Sequence, residues 1–473
     1  MRARHPVDQS KEKLERMNSQ DINPGQRDFW FVPLGGCGEI GMNLNLYGHA
    51  GQWLMVDCGV TFEKQSSGTA RNRVEMADPT FIANRQHKLA GIIATHAHED
   101  HIGALHHLWE QFRVPVYTTP FTRNVLLTKF RQAGINAPVV TVHPGETLEL
   151  GPFRLTWVPI THSTPETNAI LIDTDVGRAL HTADWKLDSA PIAGDAIDPA
   201  RYQQLGKLGI DAVICDSTNA TKPGSSTSES ELFAGLLAEV TSSAGRVVVA
   251  CFSSNVARLQ TLGNVAHVSG RYLGLLGRSI KRMVSNARAA GYLQSNFNLL
   301  DTFDLGYLLP QETLVVATGS QGEVGAALHR LAQDNHPELN LAAGDHIIFS
   351  AKTIPGNETE VEALIRSFEA RQIRVTHADS SKRLLHASGH PHADELRQMY
   401  GWLRPGLVVP VHGERKHMLR NAEIAEGAGV PSKLVGENGD VFDLLKRTKP
   451  GDKVPTGRMW FDEEASKLRV VKP

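Results

Sequence analysis

The feature that most constrains this 473-residue sequence is the run His-Ala-His-Glu-Asp-His, which ends at His101. An apolar, strand-like segment at residues 89–94 precedes the run, and a helix-like segment follows it. Because alternate residues of an extended segment share a side, His96 and His98 can hold one metal ion, and Asp100 and His101 can hold a second. Neutral imidazoles with a carboxylate suit zinc or a similar divalent cation. The run therefore predicts a metal centre at a strand-to-helix turn.

Three further candidate ligands, His162, Asp184 and His412, each follow an apolar, strand-like segment. Taken alone, either histidine would more often be a hydrogen-bonded structural residue, but their repeated position at strand ends favours ligation. A shared carboxylate lets two cations lie within about 4 Å of each other and activate a water molecule between them. We therefore expect two groups that share one aspartate: His96, His98 and His162 with Asp184, and Asp100, His101 and His412 with Asp184.

These residues resemble the motifs of metallo-β-lactamase-fold hydrolases, and Asp57 in the segment L-M-V-D-C-G matches the first acidic motif of that superfamily. Five more motifs narrow the resemblance: D-S-T-N-A from Asp216, T-G-S-Q-G-E from Thr318, I-P-G-N-E from Ile354, H-A-S-G-H from His386 and P-V-H-G-E from Pro410. In this order they are similar to ribonuclease J, of the β-CASP group of nucleases, between about residue 29 and about residue 446. Each motif alone is weak, but the series is specific.

The resemblance implies an α/β fold, namely a metallo-β-lactamase αββα sandwich with an inserted α/β β-CASP domain. Short apolar strands that alternate with helical segments agree with this class. The chemistry also implies an insertion, because more than two hundred residues separate Asp184 from His412. We expect a polar N-terminal tail at 1–26, the first part of the metallo-β-lactamase domain at 27–215, the β-CASP insert at 216–375, the second part of the first domain at 376–450 and a C-terminal tail at 451–473.

The same resemblance implies a metal-dependent nuclease that hydrolyses single-stranded RNA, in RNA processing or decay. We expect a 5′-to-3′ exonuclease that prefers 5′-monophosphate ends and also cleaves internally. Two divalent ions are expected, zinc first and manganese as the alternative. Asp100 and Asp184 would act at the attacking water, and His390 would polarise the phosphoryl oxygen or protonate the leaving oxygen.

Other residues are expected to support the site or to bind substrate. The resemblance implies that Asp57 orients the metal-binding loop without ligating, and Asp216 would hold His412 by a hydrogen bond. It also implies a pocket for a 5′-monophosphate, in which backbone N–H groups and hydroxyls line a groove. The residues expected there are His386, Ser388, Gly389, Gly319, Ser320 and Gln321.

Three alternatives remain beside the ribonuclease interpretation. The first is a DNA exonuclease of the same family. Proteins distinguish RNA from DNA by contacts to the 2′-hydroxyl, and the sequence shows no motif for such a contact. The second is a small-molecule metallo-hydrolase of the superfamily, which the long insertion before His412 disfavours. The third is a non-catalytic nucleic-acid-binding protein with a decayed site, and the presence of all seven ligand positions argues against it.

A second motif invites a different interpretation, because the G-x-G-x-x-G run that ends at Gly41 follows a strand-like segment. A dinucleotide-binding site would need a helix directly after the run. Residues 42–47 instead alternate like a strand. We therefore predict a glycine-rich connection between strands.

The composition fits a globular protein but gives no support of its own to nucleic-acid binding. Hydrophobic residues make up 41% of the chain, charged residues 21%, and the formal net charge is -2. A phosphate-binding surface must then be a local basic patch. One candidate lies within residues 270–291, with a solvated helix face as the alternative: Arg271, Arg278, Lys281, Arg282 and Arg288.

Sequence signals for location and assembly are few. The N-terminus has no apolar segment of a secretory signal, no long apolar span occurs, and the 4 cysteines form no C-x-x-C pair. We expect a cytoplasmic protein with reduced core cysteines and no membrane partner.

Only a short segment follows Gly413, where bacterial ribonuclease J usually carries a further domain, so we expect a dimer or a monomer. Ala183 stands where the family usually has glycine.

Overall fold

The computed structural model describes residues 22–63, 73–293, 299–354, 356–462 and 465–471. Of the N-terminal tail predicted over residues 1–26, residues 1–21 lie outside the described part of the chain. Within the described residues the strands form sheets of seven, six, five, four and two strands. Helices cover the large sheets, so the predicted α/β class is confirmed.

The two largest sheets each change from antiparallel to parallel pairing. The seven-stranded sheet has the spatial order Phe442–Asp443, Phe29–Gly35, Leu44–His49, Gln52–Val56, Leu89–Ile93, Val116–Thr118 and Val139–Thr141. The six-stranded sheet has the order Thr147–Leu150, Phe153–Pro159, Asn168–Asp173, Arg178–His181, Ala212–Asp216 and Leu407–Val411. Pairing is parallel from Gln52–Val56 onwards in the first sheet and from Arg178–His181 onwards in the second.

The two sheets pack face to face around one apolar core. Its completely buried members include Phe31 and Leu54 from the first sheet and Trp157, Ile172 and Val409 from the second. Each strand places alternate side chains on this inner face, and the intervening apolar side chains pack under helices on the outer face. Burial on both faces explains why these strands read as nearly continuous apolar segments.

Helices cover both outer faces of the sandwich. Leu105–Phe112 and Pro120–Gln132 pack on the seven-stranded sheet. Pro199–Leu208, Ala393–Leu403 and Arg415–Gly427 pack on the six-stranded sheet. The four layers are therefore helix, sheet, sheet and helix, which confirms the predicted αββα sandwich. Short helices at Thr80–Ala83 and Glu99–Ile102 and a 3₁₀ turn at Gln86–Lys88 complete this part.

The inserted region contains a separate, fully parallel sheet. Its five strands have the order Tyr272–Leu276, Thr313–Ala317, Val247–Ala250, His346–Phe349 and Arg374–His377. The central strands are short apolar segments that are buried throughout, as expected where helices cover both faces. These helices are Leu232–Thr241, Val256–Ser269, Arg278–Ala289, Ala327–Ala332 and Glu358–Ala370, with 3₁₀ turns at Glu229–Glu231, Asp304–Tyr307 and Pro310–Glu312.

The chain returns from the insert into the sheet that it left. Ala212–Asp216 pairs in parallel with Leu407–Val411, so Asp216 lies opposite Val411 and one residue from His412. The exact domain boundaries stay a prediction, but this pairing brings the two ends of the insert side by side. The site residues on both strands therefore meet at one edge of the sandwich.

The predicted C-terminal tail, residues 451–473, contains two strands. Arg458–Asp462 pairs with Arg73–Ala77 and with Lys467–Val470, and Val60–Glu63 completes the four-stranded sheet. This segment therefore packs on the sandwich over the residues that the structure describes.

The glycine-rich run is a connection between strands, as predicted. Cys37–Gly38 pairs with Gly413–Glu414, and the strand Leu44–His49 follows where a dinucleotide site would need a helix. Gly36 and Gly41 both have positive φ angles, a conformation that glycine adopts without a steric penalty. The amide of His412 donates to the carbonyl of Gly36 over 2.6 Å, so this connection supports a predicted metal ligand.

The candidate basic patch is smaller than predicted. Arg271 is buried directly before an edge strand of the inserted sheet, Tyr272–Leu276. It donates hydrogen bonds to the carbonyl oxygens of Ser243, Gly245 and Thr313. It was therefore wrongly assigned to an exposed patch. The remaining four basic residues lie exposed on one helix: Arg278, Lys281, Arg282 and Arg288.

Two further observations concern the cysteines and the length of the helices. All four cysteines are free and buried, as expected for reduced core residues. No helix in the described part of the chain combines the length and apolar character needed to cross a lipid bilayer.

Candidate metal centre

The predicted ligands converge at the ends of strands from both large sheets. His96 and His98 follow Leu89–Ile93, where the chain turns into the helix Glu99–Ile102. His162, Asp184 and His412 lie just beyond Phe153–Pro159, Arg178–His181 and Leu407–Val411. The common edge explains why residues so distant in the chain meet.

The first group consists of three imidazoles around one carboxylate oxygen. Nδ1 of His98 lies 3.1 Å from Nε2 of His96 and 3.0 Å from Nε2 of His162. Oδ2 of Asp184 lies 3.9 Å from Nε2 of His96 and 3.7 Å from Nε2 of His162. All four ligand atoms lie within 4.8 Å of one another, so they can share one cation.

The second group is built around the other oxygen of the same carboxylate. Oδ1 of Asp184 lies 3.2 Å from Nε2 of His101 and 3.0 Å from Nδ1 of His412. Oδ2 of Asp100 lies 3.1 Å from Nε2 of His412 and 3.6 Å from Nε2 of His101. The two oxygens of Asp184 thus face different groups, which is the arrangement of a bridging carboxylate.

The donor set fits divalent cations. Ligand nitrogens of a tetrahedral zinc site lie about 3.3 Å apart when each Zn–N bond is about 2.0 Å, close to the spacing around His98. Oδ1 of Asp184 is buried and accepts no hydrogen bond of good geometry from the described residues. A buried carboxylate oxygen needs a positively charged partner, which is either the pair of rings of His101 and His412, 3.2 and 3.0 Å away, or a bound cation.

Electrostatics distinguish the two groups. Burial, assisted by neighbouring imidazoles, lowers the pKa of His96 and His162 well below the usual value, and burial lowers the pKa of His98 to about 4. These rings are therefore neutral near pH 7, as ligands must be. The carboxylate and the three neutral rings form a site for one divalent cation that needs no prior loss of protons.

The second group is ion-paired within the chain. Burial opposes a charge on His101 and His412, but Asp184 and neighbouring carboxylates outweigh it and raise the pKa of both rings well above the usual value. Burial likewise opposes a charge on Asp100 and Asp184, but His101 foremost holds the pKa of each carboxyl below its usual range. A cation in this group would take the place of these protons.

Asp57 bonds two residues of the loop that carries the predicted ligands. Oδ2 of Asp57 accepts from Nδ1 of His101 over 2.7 Å, and the carboxylate also accepts from the amide and the hydroxyl of Thr95 over 2.8 and 2.9 Å. Its own φ angle is 64°, in the left-handed region that few residues other than glycine adopt. Asp57 therefore fixes the orientation of His101 without belonging to either group of ligand atoms.

Asp216 has a different main partner from the one predicted. Its Oδ2 lies 2.8 Å from Nδ1 of His390, whereas its Oδ1 lies 3.5 Å from Nδ1 of His412. Thr218 lies between the two, since its hydroxyl donates to Oδ1 of Asp216 over 2.8 Å and lies 3.1 Å from Nδ1 of His412. Strand pairing places Asp216 one residue from His412, but the sequence alone could not show that His390 approaches more closely.

His390 lies at the rim of the metal centre. Its Nδ1 is 3.9 Å from Oδ2 of Asp184, and the ring centroids of His390 and His162 lie 5.2 Å apart. Burial opposes a charge on this ring, but Asp216 and Asp184 outweigh it and raise the pKa of His390. With Nδ1 bound to Asp216, Nε2 is the nitrogen that can serve a substrate.

The loop that carries His390 also contains three of the predicted pocket residues. The hydroxyl oxygen of Ser388 accepts from Nδ2 of Asn219 over 2.7 Å. The carbonyl of Gly389 lies 2.6 Å from Nδ1 of His162, so this residue orients a ligand. Nδ1 of His386 lies 3.4 Å from the carbonyl of Ser350.

The other three predicted pocket residues are buried in a turn after the strand Thr313–Ala317. Gly319 has a φ angle of 108°, and a Cβ there would lie 2.9 Å from the Cβ of Ala326. The side-chain amide of Gln321 donates to the carbonyl of Lys352 and accepts from the amide of Ile354, over 2.9 and 2.8 Å. The turn Gly319, Ser320 and Gln321 is thereby held against residues 352–354.

Sequence reasoning missed two supporting side chains. Nδ2 of Asn43 donates to the carbonyl of Asp100 over 3.0 Å and lies 3.2 Å from Nε2 of His101. The hydroxyl of Thr218 contacts both Asp216 and His412. Thr218 belongs to the D-S-T-N-A motif, which was a signal, whereas Asn43 carries no local signal because its contact is long-range.

Three family models match successive parts of the chain. A beta-lactamase superfamily domain matches residues 52–220, and a ribonuclease J beta-CASP domain matches residues 244–368. A Zn-dependent metallo-hydrolase RNA specificity domain matches residues 380–435. The order agrees with the sandwich, the parallel insert and the return to the sandwich.

Curated relatives match along most of the chain. Ribonuclease J of Sinorhizobium meliloti is 40% identical over 445 residues, covering 91% of this chain and 77% of that protein. Ribonuclease J of Mycolicibacterium smegmatis is 37% identical over 436 residues with the same coverage. Ribonuclease J of Helicobacter pylori strain J99 is 31% identical over 442 residues, covering 92% of this chain and 63% of that protein.

One solved structure shares the fold at low identity. It is a crystal structure of a protein of unknown function from Enterococcus faecalis V583, with a TM-score of 0.60 and 15% identity. The match covers 88% of this chain and 99% of that one.

Proposed function

We propose that this chain, which belongs to the ribonuclease J family, degrades single-stranded RNA from the 5′ end. Its metallo-β-lactamase and β-CASP domains are those of a metal-dependent nuclease. The observation that carries the proposal is the double ligand group around Asp184, with His390 at its rim and an inserted domain beside it. The insert argues against a small-molecule hydrolase, and the intact ligand set argues against a decayed site.

The proposed site holds two divalent ions. His96, His98, His162 and Asp184 would bind one, and Asp100, His101, His412 and Asp184 would bind the other. Three neutral imidazoles and a carboxylate favour zinc in the first group, with manganese as the alternative. When bound, such a pair supplies an activated water and stabilises charge on the phosphoryl oxygens.

The chain's own residues would then position and protonate the substrate. Asp100, paired with His412, would orient the attacking water. His390 is proposed to donate a proton from Nε2 to the leaving oxygen, or to polarise the phosphoryl oxygen. The support for this is its raised pKa and the bond from Nδ1 to Asp216, which fixes the ring.

The proposed 5′-phosphate pocket lies on the loop between His386 and His390. Because the oxygen of Ser388 accepts from Asn219, its proton remains available for a phosphate oxygen. Gly319 and Ser320 would contribute from the turn after Thr313–Ala317, and Gln321 would hold that turn against Lys352. Gly389 would act indirectly, since its carbonyl holds His162. This pocket would favour a monophosphate and exclude a bulkier triphosphate.

The test is a comparison of substrate ends with purified, metal-analysed protein. Single-stranded RNA of one sequence, labelled throughout its length and bearing a 5′-monophosphate, 5′-triphosphate or 5′-hydroxyl, would be followed over time, beside DNA of the same sequence. We expect mononucleotide release that is fastest on the monophosphorylated RNA. Large internal fragments at equal rates from all ends would overturn the exonuclease proposal, and equal turnover of DNA would overturn the preference for RNA.

Bound-metal analysis tests the cofactor proposal separately. We expect two ions per chain after reloading, because the ligands exceed what one tetrahedral site can use. A single ion at saturation would contradict the shared carboxylate.

A further inference from the structure

Residues 385–393, here called the 385–393 segment, run between two loops that each carry a lysine. On one side, Nδ2 of Asn219 donates to Oγ of Ser388 over 2.7 Å, and the amide of Ala393 donates to the carbonyl of Lys222 over 3.0 Å. The loop that ends at Lys222 therefore borders this segment from Ser388 to Ala393.

The second lysine borders the same segment from the inserted domain. Oγ of Ser350 donates to the carbonyl of Leu385 over 2.6 Å, and the carbonyl of Ser350 lies 3.4 Å from Nδ1 of His386. Lys352 follows two residues later, and Gln321 fixes its backbone through the bond to its carbonyl. The proposed phosphate pocket thus has a lysine on each side.

Neither lysine forms an ion pair with a carboxylate in the part of the chain that the structure describes. Among the described residues, no carboxylate oxygen lies within 4 Å of the ammonium group of Lys222 or Lys352, although Lys222 is half-buried. Burial and the charge of Lys352 lower the pKa of Lys222, and Asp379 acts in the opposite direction. Lys222 is half-buried whereas Lys352 is exposed, so the cost of desolvation falls on Lys222, and an anion bound beside it would offset that cost.

The side chains of His386 and Ser388, which were predicted for the pocket, carry no positive charge. Burial and the neighbouring guanidinium of Arg258 lower the pKa of His386 to about 3, so its ring is neutral near pH 7. Ser388 offers a neutral hydroxyl. A terminal phosphate carries more negative charge than a phosphodiester, and neutral donors alone would distinguish the two weakly.

We propose that Lys222 and Lys352 form the cationic wall of this pocket and supply the charge that favours a 5′-phosphorylated end. The inference rests on the proposed function above and assigns the charge recognition to these two lysines, with His386 acting only as a neutral hydrogen-bonding group.

The test replaces each lysine by methionine, which keeps the length of the side chain and removes the charge. Kinetics would be measured on single-stranded RNA with a 5′-monophosphate and on the same RNA with a 5′-hydroxyl. Each variant should lose about tenfold in kcat/KM on the phosphorylated RNA, mainly through KM, because one charge-assisted contact is lost. Turnover of the 5′-hydroxyl RNA should stay at the wild-type value, and Lys222→Arg should retain most of the preference.

The matched control is Lys207→Met, on an exposed position of the helix Pro199–Leu208, which should not change either substrate. Metal content and thermal unfolding would first verify that each variant is folded. If wild-type protein shows no preference for a 5′-phosphate, the proposed function itself fails, and this inference with it. If the preference exists and survives in both lysine variants, or if both substrates slow equally, only the assignment of the lysines is overturned.

Discussion

Asp216 and His390 form a partly buried pair in which Nδ1 of the imidazole lies 2.8 Å from Oδ2 of the carboxylate. The pair joins the last residue of a sandwich strand to the loop that follows the inserted domain. It therefore ties the end of that strand to a loop at the rim of the metal centre.

The first prediction concerns the pH dependence of turnover. Burial opposes the charged form of His390, but Asp216 and Asp184 outweigh burial and raise the pKa of the ring. If His390 donates a proton in catalysis, that proton is present at pH values below the raised pKa. It is lost as the pH rises through the pKa. Asp216→Asn removes part of this support and should move the alkaline limb of kcat to lower pH. An alkaline limb unchanged in Asp216→Asn, with unchanged metal content, would show that His390 is not the acid.

The second prediction concerns the shared carboxylate. Asp184→Asn keeps the shape of the side chain but removes the charge that faces both ligand groups, so hydrolysis should fall by about a thousandfold or more. Bound metal should fall as well, measured by elemental analysis after reloading. Near-normal turnover in this variant would contradict the two-ion arrangement.

The third prediction concerns a residue that holds a ligand without binding metal. Asp57→Asn weakens the acceptor for Nδ1 of His101 and for Thr95, and metal affinity should fall about 10- to 100-fold. Competition with a chelator gives the affinity. His49→Gln is a useful comparison, because His49 bonds a distant carboxylate, Asp175, and should leave metal binding unchanged.

The fourth prediction concerns close packing behind the metal-binding loop. A Cβ on Gly59 would lie 1.7 Å from the carbonyl oxygen of Asp100, so Gly59→Ala should destabilise the fold by about 3 kcal/mol or more and reduce bound metal. Gly401→Ala is the control, since that helical position has open space around it and should gain about 0.5–1 kcal/mol. Urea unfolding measures both values.

The fifth prediction concerns Ala183, which has a φ angle of 53° directly before the shared carboxylate. A left-handed conformation costs about 1–2 kcal/mol for a residue with a Cβ. Ala183→Gly should relieve this strain, although the greater entropy of glycine in the unfolded chain offsets part of the gain. The net effect should be a stabilisation of about 0.5–1 kcal/mol. A loss of stability in thermal unfolding would show that the methyl group packs favourably enough to outweigh the strain.

The sequence predicted the parts of the site that local patterns encode. His96, Asp184 and His412 each follow an apolar segment, and the ends of such strands meet at one edge of a sandwich. The same logic required the chain to return to the first domain before His412, and the strand pairing agrees.

Contacts that depend on the packed tertiary structure could not be predicted. Asp216 lies one strand from His412, but its closest imidazole belongs to His390, 174 residues away in the chain. Arg271 appeared to belong to a basic patch, yet it lies buried against backbone carbonyls. The sequence shows both charged residues, Asp216 and Arg271, but the groups that form hydrogen bonds with them belong to distant segments of the chain.

The pairing of Ala212–Asp216 with Leu407–Val411 also has a consequence for biosynthesis. The ribosome makes the first six ligands well before the seventh, because the whole insert must be translated before His412 appears. A nascent chain therefore carries an incomplete second ligand group until His412 has been translated.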